Sequence, residues 1–227
     1  MTPDVPSEHL QQTTPPVAVA VDPQPLPRVY IYVHGILSNA ADSRVWDHRA
    51  VTWTNKFTRH KGDNLPYICG PITRAFHQQA RIDNLVLLLR EYEGCELVLA
   101  AHSNGCAIVL KALADADYPR IRHLHLFNAA CQADFQANGL NGALRRGAIG
   151  QVSVYMAGQD RALRLVSWFR LARLLGYGTL GLVGPQNVAP EARRLTTDVK
   201  TGVWKGYGHS SCWSVYNFDD TMGLITA

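Results

Sequence analysis

One serine of the chain lies where an apolar sequence is interrupted by polar residues. The stretch ELVLAAHSNGCAIVL runs from Glu96 to Leu110, and His102, Ser103 and Asn104 break its apolar run. Burying unpaired polar groups is costly, so these side chains need a structural or a chemical reason. The hydroxyl of Ser103 therefore either caps a helix or acts as a nucleophile.

The residues around this serine have the form small-x-Ser-x-Gly. A sharp, strained strand-to-helix turn lifts a serine hydroxyl out of a sheet, and it requires small residues two positions before and after the serine. Ala101 and Gly105 meet that requirement, although glycine is commoner where Ala101 stands. The backbone N–H of Asn104, at the start of the following helix, would then face a developing oxyanion.

A serine nucleophile needs a base, and the imidazole of that base needs an acid to fix its tautomer. His209 lies in GYGHSSCW, a glycine-containing loop after the last predicted strand, and is the candidate base. His102 is expected to be structural, because adjacent side chains diverge at such a turn. Asp160 follows a predicted strand and is the candidate acid, with Asp134 as the alternative. Asp160 is also suited to cap the helix that follows it.

The stretch YVHGIL supplies the remaining candidates. An oxyanion is met by two preorganised N–H donors, and the second is expected in the loop after the first strand. The backbone N–H of Ile36 is predicted to be that donor, with Gly35 allowing a close turn of the chain. His34 is expected to brace this loop rather than to react.

Strands and helices alternate along the chain, which predicts βαβ units and a mostly parallel sheet with helices on both faces. The predicted strands are 28–35, 95–102, 120–130, 151–158 and 198–206, with LPYICGP at 65–71 as a further short strand. The predicted helices lie within 41–60, 74–94, 104–117, 139–148 and 161–176. Chemistry in such sheets sits at the carboxyl ends of the strands, where the four polar candidates His34, Ser103, Asp160 and His209 all fall.

With Ser103, Asp160 and His209 in this order, the sequence resembles the α/β-hydrolase superfamily over residues 28–213. The matching stretches are YVHGIL, AAHSNG, AGQDRAL and YGHSS, and together with FNAACQADF they are similar to a bacterial branch of esterase-like hydrolases. The resemblance implies the α/β-hydrolase fold, with Ser103 as nucleophile, Asp160 as acid and His209 as base. Two departures are Ala101 in place of the usual first glycine and the absence of the HGGG of some esterases. No inserted region is large enough for a full cap domain.

The resemblance implies a serine hydrolase that cleaves carboxylic esters of small or medium acyl groups through an acyl-enzyme, with no cofactor and no metal. Thioesterases, acyltransferases and amidases use the same triad, so the sequence does not separate them. A non-catalytic binding protein built on the hydrolase fold is the alternative from another class. The sequence leaves the oligomeric state open.

The composition of the 227 residues, 47% hydrophobic and 18% charged, predicts one globular domain over residues 28–227. Seven of the twelve prolines lie in residues 1–27, which predicts a disordered tail. The net charge of +4 without a clustered basic face argues against a nucleic-acid partner. Five scattered cysteines without a CxxC pair favour reduced thiols, and no run has the length of a signal peptide or a membrane span. These features predict a cytoplasmic protein.

Three further patterns have competing interpretations. GYGTLG at 176–181 matches G-x-G-x-x-G, but it follows a helical pattern and precedes prolines, the wrong context for a dinucleotide site. His123 and His125 alternate within a predicted strand, and with no third ligand nearby they are expected to be core residues. The stretch 162–184 could form a membrane-surface or lid helix, although a helix packed on the sheet is favoured, and an ordered lid would span residues 163–190.

Overall fold

A six-stranded parallel sheet organises the molecule. The computed structural model describes residues 26–35, 40–67, 78–114, 120–168, 177–200 and 208–227, so nearly all of the proline-rich tail predicted for 1–27 lies outside the described residues. The strands are β1 (Arg28–Val33), β2 (Lys61–Asn64), β3 (Glu96–His102), β4 (Ile121–Phe127), β5 (Ile149–Met156) and β6 (Thr196–Lys200). They lie in the order β2-β1-β3-β4-β5-β6, and each neighbouring pair is parallel.

Helices connect these strands. They are α1 (Ala40–Phe57), α2 (Gln78–Glu91), α3 (Asn104–Ala112), α4 (Leu140–Arg145), α5 (Arg161–Trp168), α6 (Leu180–Val183), α7 (Pro190–Arg193) and α8 (Phe218–Thr226), with a 3-10 helix at Ser211–Trp213. The parallel pairing follows from the helical crossovers, since a parallel neighbour cannot be reached by a tight hairpin.

Both faces of the sheet are covered, as the sequence predicts. Side chains alternate along a strand, so the odd-numbered residues of β1 face one side and the even-numbered ones the other. The first face packs in one apolar cluster with Leu85 of α2 and Ile108 of α3. The second face packs in another cluster with Trp46 of α1 and Met222 of α8. The predicted architecture is therefore confirmed.

An aromatic contact fixes the chain that follows His209 against the second face. The indole rings of Trp46 and Trp213 stack with centroids 3.8 Å apart and an interplanar angle of 14°. The hydroxyl of Thr221 in α8 donates to the carbonyl of Cys212 at 2.7 Å. The 3-10 helix is thus held by α1 on one side and by α8 on the other. These contacts also fix the end of the loop before it, which contains His209.

The predicted short strand LPYICGP is wrong over its described residues. Residues 65–67 are not in a strand, and β2 instead lies just before them in the polar sequence KGDN. β2 is an edge strand paired with β1 alone, so it does not need the apolar pattern of a buried strand. The short helices α6 and α7 and the C-terminal helix α8 were not predicted either.

Gly178 and Gly181, the two described glycines of GYGTLG, have a packing explanation. A Cβ on Gly178 would lie closer than 3.0 Å to backbone atoms of Cys131, and one on Gly181 would collide with the backbone of Asn128 and Ala129. These glycines allow the chain to lie directly against the turn that follows β4. No helix among the described residues is long and apolar enough to cross a membrane.

Candidate active site

Ser103 occupies a strained turn between β3 and α3. Its φ of 55° and ψ of −119° lie in a region that non-glycine residues rarely adopt. The turn is bonded to the end of β4 and the segment after it: the Ser103 N–H donates to the carbonyl of Phe127 at 3.0 Å, and the Ser103 carbonyl accepts from the N–H of Ala130 at 3.1 Å. Because β3 lies between β1 and β4, the serine stands at the centre of the carboxyl edge of the sheet.

Gly105 and Gly35 let the end of β1 approach this turn. A Cβ on Gly105 would lie closer than 3.0 Å to the carbonyl oxygens of Val33 and His34, and one on Gly35 would lie 2.6 Å from the Cβ of Ser103. Ala101, where glycine is commoner, is fully buried, and its methyl group packs in the first apolar cluster. The turn therefore requires glycine after the serine and accepts alanine before it.

The imidazole of His209 spans Ser103 and Asp160. Its Nε2 lies 2.6 Å from the Oγ of Ser103, and its Nδ1 lies 2.5 Å from the Oδ2 of Asp160. A carboxylate only accepts, so Nδ1 carries the proton and Nε2 presents a lone pair to the serine hydroxyl. The three residues are separated by 49 and 106 positions along the chain, and the structure brings them into one hydrogen-bonded line.

Asp160 is ionised in this arrangement. Burial alone would raise the pKa of its carboxyl, but the hydrogen bond and electrostatic interaction with His209 and the N–H of Leu163 together lower the pKa below its ordinary value. Its Oδ1 accepts from that N–H at 3.0 Å in the first turn of α5. The two roles that the sequence suggests for Asp160, helix cap and partner of the imidazole, thus use different oxygens of one carboxylate.

Asp134 lies elsewhere. Its Oδ1 accepts from the backbone N–H groups of Gln136 and Ala137 at 2.8 and 3.0 Å, and its Oδ2 accepts from the amide of Asn187 at 2.7 Å. These bonds lower the pKa of its carboxyl. The geometry places Asp160, and not Asp134, on the imidazole of His209.

His34, the first residue after β1, makes several contacts with Gly35 and Tyr67. Its Nδ1 lies 2.8 Å from the carbonyl of Gly35 and its Nε2 2.8 Å from the carbonyl of Tyr67. The ring also stacks on that tyrosine with centroids 4.1 Å apart, and the tyrosine hydroxyl donates to the His34 carbonyl. Ile36, the predicted second donor, lies outside the described residues. Asn104, the other predicted donor, is the first residue of α3, where backbone N–H groups point out of the helix end.

Two residues near the imidazole were not identified from the sequence as parts of the site. His102, expected to be structural, is buried, and its Nε2 lies 2.9 Å from the carbonyl oxygen of His209. Asn128, directly after β4, places its Nδ2 2.8 Å from the same oxygen and 3.3 Å from the Oδ2 of Asp160. The position of Asn128 at the carboxyl end of a predicted strand is the signal that could have identified it.

His123 and His125 lie on the second face of the sheet. The Nε2 of His123 is 2.8 Å from the hydroxyl of Ser153, and the Nδ1 of His125 is 3.0 Å from that of Tyr155. Burial lowers the pKa of His123 to about 4 and that of His125 well below its ordinary value. Within the described part of the chain, no group of three candidate ligands could hold a metal ion.

Solved structures share the general arrangement of this chain at low identity. A proposed thioesterase from Silicibacter sp. is 19% identical, with 90% of this chain and 78% of that chain covered and a TM-score of 0.49. A cutinase-like protein from Cryptococcus sp. is 13% identical, with 87% and 90% covered and a TM-score of 0.44. MenH from S. aureus is 15% identical, with 88% and 92% covered and a TM-score of 0.44. These similarities do not identify a reaction or a substrate for this chain.

No protein-family model matches the sequence, and no curated protein matches it as a relative.

Proposed function

Because the chain has the α/β-hydrolase fold, we propose that it is a serine hydrolase that cleaves carboxylic esters with small or medium acyl groups. The observation that carries the proposal is the continuous line of hydrogen bonds from the Oγ of Ser103 through His209 to Asp160, at 2.6 and 2.5 Å. A serine hydroxyl reacts at neutral pH only when a base removes its proton, and this line supplies the base and its orienting acid.

In the proposed reaction, the Nε2 of His209 accepts the hydroxyl proton as Ser103 attacks the ester carbonyl. The carboxylate of Asp160 stabilises the resulting imidazolium without taking its proton. The imidazolium then protonates the leaving alcohol, and an acyl-enzyme remains. A water molecule, deprotonated by the same Nε2, attacks the acyl group. The imidazolium then returns the proton to the Oγ of Ser103 as the acid is released, which restores the free serine and the neutral imidazole.

The oxyanion formed in each step needs donors preorganised at its final position. The backbone N–H of Asn104 is the first proposed donor, since Asn104 directly follows the proposed nucleophile and is the first residue of α3. The N–H of Ile36 is the second proposed donor, because Ile36 follows Gly35 in the chain, and a Cβ on Gly35 would lie 2.6 Å from the Cβ of Ser103. Each donor is expected to contribute a factor of about 10² to 10³ in kcat.

A fluorophosphonate probe tests the proposal, because it reacts with an activated serine whatever the natural acyl group is. We expect the wild type to be labelled with one probe per chain and Ser103→Ala to remain unlabelled. Ser167→Ala, at a serine of α5 whose hydroxyl bonds the Arg164 carbonyl, is the matched control and should label as the wild type does. A folded wild type that takes up no probe would instead indicate the non-catalytic binding protein.

Turnover of p-nitrophenyl esters, compared with thioesters and anilides of the same acyl groups, then tests the ester class and the acyl length. We expect higher kcat/KM for esters of two to about eight carbons than for the matched thioesters and amides. A thioester preferred by more than about tenfold would replace the ester assignment while leaving the serine chemistry intact.

A further inference from the structure

The backbone carbonyl of His209 is held by two side chains from neighbouring strands. The Nε2 of His102, at the end of β3, lies 2.9 Å from this oxygen, and the Nδ2 of Asn128, just after β4, lies 2.8 Å from it. A carbonyl oxygen has two lone pairs, so both acceptor sites are used. We propose that His102 and Asn128 are positioning residues that fix the His209 backbone so that its imidazole reaches Ser103 and Asp160, an inference that rests on the proposed serine hydrolase function.

Asn128 contacts both His209 and Asp160. Besides its bond to the His209 carbonyl, its Nδ2 lies 3.3 Å from the Oδ2 of Asp160, the oxygen that also accepts from the imidazole. Both partners only accept, so the amide must present its NH₂ group to them. Its Oδ1 is left buried without a hydrogen-bond partner among the described residues. The amide thus makes two donor contacts at the site and no acceptor contact, an arrangement that packing alone does not require.

The backbone around Asn128 keeps this amide in place. Its φ of 44° lies in the left-handed region, where asparagine is tolerated better than most residues. Its N–H donates to the carbonyl of Tyr155 at 3.1 Å, and Gly181 packs directly on its backbone. The backbone of Asn128 is therefore bonded to the sheet, and its amide side chain holds His209 at a fixed distance from the ends of β4 and β5.

His102 supplies a neutral donor. Its partner is a carbonyl oxygen, so Nε2 must carry the proton. Burial, with a smaller contribution from the nearby His209, lowers the pKa of His102 to about 3, so the ring is uncharged at the pH where the reaction would run. A charged ring 5.0 Å from the His209 ring would weaken that base, whereas a neutral donor orients it without this cost.

The loop needs such support because His209 lies outside regular secondary structure, two residues before the 3-10 helix at Ser211–Trp213. A displacement of about 1 Å at a reacting group can cost about 10²-fold in rate. His102 itself is enclosed by the edges of Trp46 and Trp213, with ring centroids 6.2 and 6.4 Å away. The ring of His102 is thus held in place by its contacts with both indoles.

Conservative variants separate the donor function from packing. Asn128→Asp keeps the shape and tolerates a positive φ but replaces the donor NH₂ with an acceptor, whereas His102→Phe keeps a ring without the donor. We expect the rate constant of fluorophosphonate labelling to fall about 10²-fold in Asn128→Asp and about tenfold in His102→Phe. His102→Gln, which retains an amide donor, should recover most of the loss.

Matched controls use residues of α1. Asn55→Asp retains its bond, because the Oδ1 of Asn55 is the acceptor for the Gly62 N–H, and His48→Phe changes an exposed ring. Both should label as the wild type does. If His102→Phe does not fold, Asn128→Asp decides the question, since it retains polarity and approximate volume.

A second readout does not depend on reactivity. The Nδ1 proton between His209 and Asp160, in a bond of 2.5 Å, should give a strongly downfield proton resonance in the wild type. We expect this resonance to move upfield or to broaden in Asn128→Asp and His102→Phe. In His102→Gln we expect the urea midpoint to be unchanged. A purely structural role would lower the urea midpoint and leave the labelling rate per folded molecule unchanged.

The outcomes distinguish the inference from the function on which it rests. Folded Asn128→Asp and His102→Phe that label within about twofold of the wild type and keep the resonance overturn the positioning role, while serine chemistry stands. A folded wild type that is not labelled, with a resonance that still shifts in the variants, supports the positioning role and overturns the hydrolase. An unlabelled wild type whose resonance does not respond to either variant overturns both.

Discussion

The backbone of Ser103 carries strain that its surroundings must maintain. A non-glycine residue in this region costs about 1 to 3 kcal/mol, and such a conformation persists only where neighbouring contacts over-determine it. Here the N–H and the carbonyl of Ser103 both bond to the segment of β4 and the turn after it. The strained serine and the asparagine that contacts His209 therefore depend on the same short segment of chain.

The identity of the acid can be tested at the residue scale. Asp160→Asn removes the acceptor that fixes the Nδ1 proton of His209, and in the proposed mechanism it should lower kcat for a short-chain p-nitrophenyl ester by about 10⁴-fold. Asp134→Asn keeps an Oδ1 that can accept from the N–H of Gln136, and it should change kcat by less than about threefold. A larger loss in Asp134→Asn than in Asp160→Asn would refute the assignment of Asp160.

The three candidates Ser103, Asp160 and His209 could be selected from the sequence because each follows a strand in a parallel sheet, and this places them at one edge. His102 was not selected, because the side chain next to a nucleophile at such a turn is expected to point away from it. The contact of His102 with the His209 carbonyl depends on the path of a loop more than 100 residues away. That path is a property of tertiary packing, which no local pattern encodes.

At the element scale, the end of β1 and the start of α3 approach each other closely beside Ser103. Gly105→Ala would place a methyl group on the carbonyl oxygens of Val33 and His34, so we expect a loss of more than about 2 kcal/mol in the free energy of unfolding. Gly223→Ala on α8 meets no atom within 4 Å and should raise that free energy by about 0.8 kcal/mol. Urea unfolding of both variants measures the difference.

Equal effects of the two alanine substitutions would contradict the close approach of β1 to α3. A loss of labelling without a loss of stability in Gly105→Ala would indicate that the added methyl group displaces Ser103 and does not destabilise the fold.

Buried strands were predicted correctly because their apolar runs are continuous, as in RVYIYV and ELVLAAH. The edge strand KGDN was missed, since its residues have neither an apolar pattern nor high strand propensity and it is stabilised by pairing with β1. Helix α8 was missed for a related reason. Its buried side chains, among them Met222 and Ile225, form an apolar face only against aromatic residues supplied by distant elements.

At the scale of the whole molecule, the fold buries histidines in uncharged form. The pKa of His102 is lowered to about 3 and that of His123 to about 4, and the pKa of His125 is also lowered, in each case chiefly by burial. An unfolded histidine takes up a proton near pH 6.5. The unfolded chain therefore binds more protons than the folded one as the pH falls from 6.5 towards 3 to 4, and stability must fall across that window.

This dependence can be measured by urea unfolding at pH 8, 6 and 5. The fully buried His102 and His125 should each contribute a slope of up to about 1.4 kcal/mol per pH unit below pH 6. His125→Gln should flatten the dependence, and His48→Gln, at an exposed residue of α1, should not. A free energy of unfolding that is constant between pH 8 and 5 would contradict the neutral burial of these rings.

The composition of the chain leads us to propose a single domain over residues 28–227, in which strands β1 to β6 form one sheet without a break in pairing.

The separation of 106 residues between Ser103 and His209 has a consequence for the chain while it is being synthesised. At about 5 to 20 residues per second, the ribosome needs about 5 to 20 s to go from the serine to its base. During that interval the nascent chain holds a serine with no imidazole to activate it. The proposed chemistry of this pair would therefore begin only after His209 has been translated, and a partly made chain would lack the proposed hydrolase activity.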